Sequence, residues 1–247
     1  MAKPIPLSED ELSYLIAQQQ ALDDVFSKDC WRWACQQVIT IDEAAEEGKA
    51  RRRPWPRQKA YVKELLQVLK NERFVIIPKS RRMFITWTIC AYLLHDTRYN
   101  ADSANFILSE TEQKSAFCVD KRCYHMEQNL RHEEFRKEVQ TLRTKTGLIG
   151  RMTYPHNGSY LWGLASTGDT LRTYTATKVF VDEIEFIEQA PAVTRALVPL
   201  IEGGAQAIFC SSSNGPTGII AEYARNVSFH KWDDFAKLQG ESVMYAS

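Results

Sequence analysis

The chain has 247 residues, enough to bury a substantial core as one large domain with a smaller appendage. Its 31 basic and 31 acidic side chains cancel, so composition singles out neither a nucleic-acid nor a membrane partner, and any polyanion contact must come from local patches. Six cysteines at irregular spacing, no signal-like leader and no apolar run long enough to cross a bilayer fit a reducing, cytosolic setting with free thiols.

From Ser8 to about Ala45 the chain is rich in helix formers, with Leu12, Leu15, Ile16, Leu22, Val25 and Phe26 at helical spacing. Ser8 followed by Glu11 has the pattern of a capping box. Cys30 and Cys35 read as small packing residues of that segment. A basic, proline-broken stretch follows, with Lys49, Arg51, Arg52 and Arg53 leading into Pro54, Trp55, Pro56, Arg57 and Gln58; it reads as a linker, so residues 1–53 form a helical segment ahead of a core at 54–225, with a remnant at 226–247. A helix is expected from about Lys59 to Asn71, with Tyr61, Val62, Leu65, Leu66 and Leu69 on one face.

Beyond it, short β-type runs alternate with helical ones. Strands are expected at Arg73–Pro78, Ala104–Ser109, Tyr160–Ala165, Lys178–Asp182 and Ala207–Ser211, and helices at Ile85–Leu94, Glu112–Leu130 and Pro191–Leu200. That alternation predicts an α/β fold with a mostly parallel sheet, whose ligands bind at the carboxyl ends of the strands. Cys118, Cys123 and His125 lie in a helical-looking stretch and lack the paired spacing of a zinc site.

Three strand ends carry the chemistry. After Pro78 comes KSRRMFIT, Lys79 to Thr86, then an apolar helix; a strand, a loop and a helix N-terminus make a phosphate cradle because loop amides and helix dipole both face the anion. Against G-x-x-x-x-G-K-[ST] only Thr86 matches: Lys79 and Phe84 occupy the glycine slots and Ile85 replaces the lysine. Phosphoryl chemistry needs a cation on the phosphates and a hydroxyl on Mg²⁺, which Lys79 and Thr86 would supply, with Arg81 or Arg82 assisting. On this segment alone a basic surface turn is an equal reading.

The second end is stronger. KVFVDEIE, Lys178 to Glu185, is a buried-type strand ending in Asp182 and Glu183, and two adjacent carboxylates there are costly unless both have partners. A metal-holding Asp followed by a water-polarising Glu is one reading, and an acidic helix start is the other. The third, AIFCSSSNGP, places hydroxyls and an Asn beside the preceding strand end, which on its own is an ordinary exit to a turn.

Together these segments resemble the ATPase domain of the large terminase subunit of tailed bacteriophages, over roughly Trp55 to Pro216. The resemblance implies an ASCE or RecA-like P-loop NTPase core and a lysine-shifted phosphate loop, with Lys79, Ser80, Arg81, Arg82 and Thr86 binding ATP and Thr86 and Asp182 holding Mg²⁺. Glu183 would activate water. Gln58, after Pro56 and Arg57, would read adenine; Ser211, Ser212, Ser213 and Asn214 would form the coupling motif. Arg172, eleven positions before Glu183, would reach a neighbouring subunit's nucleotide. Phe84 stands where the family keeps glycine.

The implied function is Mg-ATP-driven translocation of double-stranded DNA into a procapsid. Its partners would be the DNA, the portal protein and procapsid, the small terminase subunit and further copies in a ring in the host cytoplasm, with the isolated domain monomeric. Only 33 residues follow Asn214, too few for the nuclease sheet of full terminases, so a motor domain without nuclease activity is expected, whether excised or naturally split. The DNA-contacting surface is left among three basic runs: Arg51–Arg53, Lys121 with Arg122, and Arg136 with Lys137. Two other functions stay open, a superfamily 2 helicase-like core and a non-catalytic DNA- or capsid-binding module with a degenerate loop.

Overall fold

A computed structural model of the chain describes residues 8–42, 52–80, 83–166, 174–212, 218–226, 230–231 and 245–246. Helix α1 (Glu9–Lys28) begins with the expected capping box: the Ser8 amide donates to Glu11 Oε2 at 2.8 Å and the Glu11 amide to Ser8 Oγ at 3.3 Å. The helical segment does not run on to Ala45. Asp29 adopts an extended conformation and caps a second helix, α2 (Cys30–Gln37), by accepting from the Arg32 amide, and the chain then enters strand β1 (Ile39–Ile41). Within the basic stretch read as a linker, β2 (Arg52–Pro54) pairs antiparallel with β1, Thr40 opposite Arg53. Alternating Val38–Thr40 side chains are buried there, and strand pairing satisfies backbone that a linker would leave to water.

Helices α3 (Ala60–Asn71) and α4 (Ile85–Tyr99) flank β3 (Phe74–Pro78), and β4 (Ala104–Ser109) leads into α5 (Glu112–Cys118). The helical stretch expected from Glu112 is continuous to Gln128 but not uniform: a π-helical turn, Val119–Tyr124, joins α5 to α6 (His125–Gln128). Two strands that lack long apolar runs, β5 (Gln140–Arg143) and β6 (Ile149–Thr153), precede β7 (Tyr160–Ala165) and were not anticipated. Then come β8 (Lys178–Asp182), α7 (Ala190–Glu202), β9 (Gln206–Ser211) and α8 (Ile219–Asn226); β10 (His230–Lys231) pairs with β11 (Tyr245–Ala246).

Seven strands form one sheet in the order β3-β9-β8-β4-β7-β6-β5. The first five are parallel, and β6 and β5 continue it antiparallel. On one face α1–α6 bury Trp33, Trp55, Leu65, Leu93 and Met126 against Ile77, Ile107 and Phe180. On the other, Ile184, Val193, Leu197 and Ile220 cover Phe106, Val181 and Phe209. Strands covered on both faces are apolar along most of their length, which is why the parallel sheet reads as runs rich in Val, Ile and Phe. Gly163 lets α5 sit directly on β7, since a Cβ there would lie 2.8 Å from the Ser115 carbonyl carbon. No helix among the described residues is long and apolar enough to cross a membrane.

Candidate active site at the sheet's carboxyl edge

Register brings the three predicted segments together. β9 lies between β3 and β8, with Pro78 opposite Ser211 and Asp182 opposite Cys210, so the chain ends of all three strands meet at one level. The Lys79 amide donates to the Ser211 carbonyl at 2.9 Å, which ties the start of the phosphate loop to the strand between. Lys79 Nζ then lies 3.0 Å from Thr86 Oγ1, 3.3 Å from Asp182 Oδ1 and 3.1 Å from Glu183 Oε1. One ammonium thus gathers the loop's beginning, the helix that ends it and both carboxylates.

The two carboxylates have different surroundings. Asp182, with 13 % of its side chain exposed, is pushed above the ordinary Asp range by burial, against the pull of Lys79. Glu183 is more open, at 38 %. Partial burial raises its pKa, but the Ser212 amide, the Lys79 ammonium and the Ser211 hydroxyl outweigh it and hold the group below the usual carboxylate value. All the serine contacts fall on one oxygen: the Ser211 hydroxyl, the Ser212 amide and the Ser212 hydroxyl donate to Oε2 at 3.0, 3.0 and 3.2 Å. Oε1 is left to Lys79. The backbone of Glu183 is left-handed, φ 54°, a conformation that turns the chain sharply out of β8.

Burial disfavours the Lys79 ammonium, yet its pKa is raised, by negative charge on Cys210, Asp182 and Glu183. Burial keeps the Cys210 thiol protonated, so at neutral pH the carboxylates supply that effect. Asp182 Oδ1 and Thr86 Oγ1 therefore already converge on a cation, and hard oxygen ligands set around one point suit Mg²⁺.

Phe84 precedes α4 with φ 65° and ψ 8°. The backbone there takes the left-handed conformation that glycine adopts freely, and a phenylalanine pays about 1–3 kcal/mol for it. Its ring recovers part of that cost. It meets Trp55 edge-on at 5.1 Å and lies parallel to Trp87 at 6.1 Å, while the Tyr61 hydroxyl donates to the neighbouring Met83 carbonyl at 2.6 Å. The glycine geometry is thus kept without the glycine. Gln58 is exposed at the mouth of a cavity of about 770 Å³ that Trp55, Lys59, Phe84 and Trp87 also line, so it adjoins the loop through Phe84. Ser80 is exposed on the loop. Arg81, Arg82, Arg172, Ser213 and Asn214 lie outside the described residues.

The far side of the acid pair holds groups that sequence reading assigned elsewhere. A second groove, also about 770 Å³, is lined by Asp182, Glu183, Phe117, Cys118, Arg122 and Phe186. Cys118 Sγ lies 3.9 Å from Asp182 Oδ2, and Arg122 Nη1 3.2 Å from Cys118 Sγ, with the guanidinium between the Trp87 and Phe117 rings. Their signal is invisible in a plain helical pattern, because the π turn shifts the phase of the helix that carries them.

A mostly parallel sheet whose loop strand and acid strand are separated by one strand, with a lysine, a hydroxyl and two carboxylates at its carboxyl edge, defines an ASCE-type P-loop fold. Among solved structures the fold is similar to that of phage large terminases. The chain is similar to the large terminase of bacteriophage HK97, with a TM-score of 0.58 and 11% identity over 81% of this chain and 40% of that one. It is also similar to the large terminase of a thermophilic bacteriophage in complex with ADP, with a TM-score of 0.51 and 15% identity over 73% and 48% of the two chains. The chain therefore spans less than half the length of either. No protein-family model and no curated protein matches it.

Proposed function

We propose that the chain is the ATPase motor domain of a viral large terminase, using Mg-ATP hydrolysis to move double-stranded DNA into a procapsid. The observation that carries this reading is the convergence of Thr86, Asp182 and Glu183 on Lys79 at the end of a terminase-like sheet. Its ligands come from the resemblance: the large terminase of the thermophilic bacteriophage was solved with ADP. Portal protein, procapsid, small terminase subunit and further copies in a ring are the partners this function requires, and residues 54–225 would form the motor core.

Lys79 is the cation for the β and γ phosphates, exchanging carboxylate oxygens for phosphate oxygens as ATP enters. Thr86 and Asp182 hold Mg²⁺, which when bound offsets charge on the phosphates. Glu183 stays ionised through the neutral range. With Oε2 fixed by Ser211 and Ser212, it presents Oε1 to the attacking water once Lys79 has turned to phosphate, and so orients and polarises that water. Because the serines that fix Glu183 also hold the start of the loop through Ser211, a change in phosphate occupancy reaches β9 directly; Ser213 and Asn214 continue that coupling segment. Gln58 reads adenine beside Phe84, Arg81 and Arg82 assist on the phosphates with Ser80, and Arg172 acts on a neighbour's nucleotide.

The test is Glu183→Ala. It should bind ATP with Mg²⁺ at near wild-type affinity and lose turnover by about 10² to 10⁴, as loss of a positioned acid–base group does. Wild-type turnover by this variant, measured with DNA and capsid partners present, would overturn the assignment.

A further inference from the structure

We infer that the β5–β6 hairpin is the surface that grips the phosphate backbone of duplex DNA. The inference rests on the reading of the chain as a DNA-translocating ATPase and adds where the DNA is held.

Folding cancels much of the charge in the three basic runs. Arg53 pairs with Asp42 at 3.5 Å, Lys121 with Asp120 at 3.1 Å, Arg136 with Glu133 at 3.1 Å and Lys137 with Asp23 at 2.6 Å. The hairpin is different. From Val139 to Gly168 the sequence has three basic side chains, Arg143, Lys145 and Arg151, and no acidic one, in a chain whose net charge is zero. Among the described residues no carboxylate lies within ion-pair distance of any of the three. A concentration of unpaired cations on an otherwise neutral protein is the electrostatic footprint of a polyanion partner.

The hairpin holds these cations in place. Its tip turns through Gly147 at φ 83°, the Thr144 amide donates to the Leu148 carbonyl at 2.8 Å, and Arg143 Nη1 donates to the Gly147 carbonyl at 2.6 Å. Gly150 admits the Thr144 methyl, which would sit 2.8 Å from a Cβ. Lys145 and the Thr146 hydroxyl are exposed at the tip, and hydroxyls and cations together are the usual donors to phosphate.

Arg151 decides between duplex and single strand. Its guanidinium lies over the rings of Tyr160, at 4.2 Å, and Trp162, at 5.1 Å. Single-strand binders leave such rings open for base stacking, whereas here an arginine covers them and Tyr174 packs edge-on against Trp162. What faces outward is cationic and suits a phosphate backbone, without base readout.

The test measures binding of the full chain to a random-sequence 30-base-pair duplex across a NaCl series, with ATP turnover measured separately. Arg143→Gln with Lys145→Gln, both exposed, should lower the slope of log K against log salt by about 1.8, since each neutralised phosphate contributes about 0.9. Lys121→Gln with Lys137→Gln removes the same charge and should leave the slope unchanged. Equal loss in both pairs, tighter binding of single-stranded DNA than duplex, or binding of polyglutamate in place of DNA would each overturn the proposal. The two readings separate cleanly: hairpin-dependent duplex binding without any ATP turnover would sink the motor and keep the grip, and turnover without hairpin-dependent binding would do the reverse.

Discussion

The two ends of the sheet follow different rules. At the β3-β9-β8 end the strands are parallel and covered on both faces, and the polar residues sit just past their carboxyl ends, where Lys79, Asp182, Glu183, Ser211 and Ser212 meet. At the β7-β6-β5 end the strands turn antiparallel, β5 is an edge with Leu142 62 % exposed, and the charges lie along the hairpin itself. One end concentrates charge where it can be desolvated and paired. The other spreads unpaired charge over an edge, a common defence of edge strands against aggregation and, here, the proposed means of holding DNA.

The largest expected effect sharpens that contrast. Glu127, fully buried on α6, accepts from Arg98 Nη1 at 2.5 Å, from the Tyr154 hydroxyl at 2.8 Å and from the Lys137 amide at 2.8 Å, while Arg98 also donates to the Phe135 carbonyl. These bonds fasten the residues beside β5 and β6 to the helix layer. Glu127→Ala leaves a buried arginine unpaired and should cost about 3–5 kcal/mol. Hydrogen exchange should then open β6 well before β8 and β9; uniform opening would show that the two ends are one cooperative unit.

A smaller effect is expected at the parallel end. Phe84→Ala keeps the left-handed strain and loses both ring contacts, whereas Phe84→Gly loses the rings and frees the backbone. The glycine variant should be the more stable of the two by about 1 kcal/mol, or roughly 2–4 °C in Tm for a domain of this size. Equal melting temperatures would mean that the loop relaxes out of the left-handed region when the ring is removed.

The smallest effect is a pH dependence. The folded-state pKa of Glu183 lies below its unfolded value, so its contribution is present above the usual carboxylate range and lost as pH falls through the folded value. Glu183→Gln should therefore melt slightly below wild type at pH 7, and the gap should close on acidification. A gap that stayed constant into acid would assign the difference to packing, and the charge pair with Lys79 would then contribute nothing to stability.

The same contrast explains what the sequence made legible. Strands β3, β4, β8 and β9 stand out because burial on two faces demands mostly apolar runs, and β8 runs into two adjacent carboxylates that are costly there unless both have partners. Strands β1, β2, β5 and β6 are short and half-polar, and Arg143 and Lys145 resemble any surface loop until their neighbours are known. Charge runs are ambiguous in the sequence for the same reason. Lys137 and Asp23 are 114 positions apart in the chain, so only the fold reveals that one neutralises the other. Phe84 was legible as a departure from glycine, but its backbone conformation depends on Trp55 and Trp87 closing around it.

The π turn at Val119–Tyr124 acts as a phase adjuster. Each wide turn accommodates one residue more than an ordinary helical turn for nearly the same advance along the axis, so the helix emerges rotated by about 100° from where a regular repeat would leave it. Cys118 and Arg122 can thus look into the groove beside Asp182 while Met126 and Glu127, a few residues later, look into the core. A single-residue deletion there would shorten the chain imperceptibly yet force a choice between those two allegiances, disengaging either the groove wall or the buried anchor.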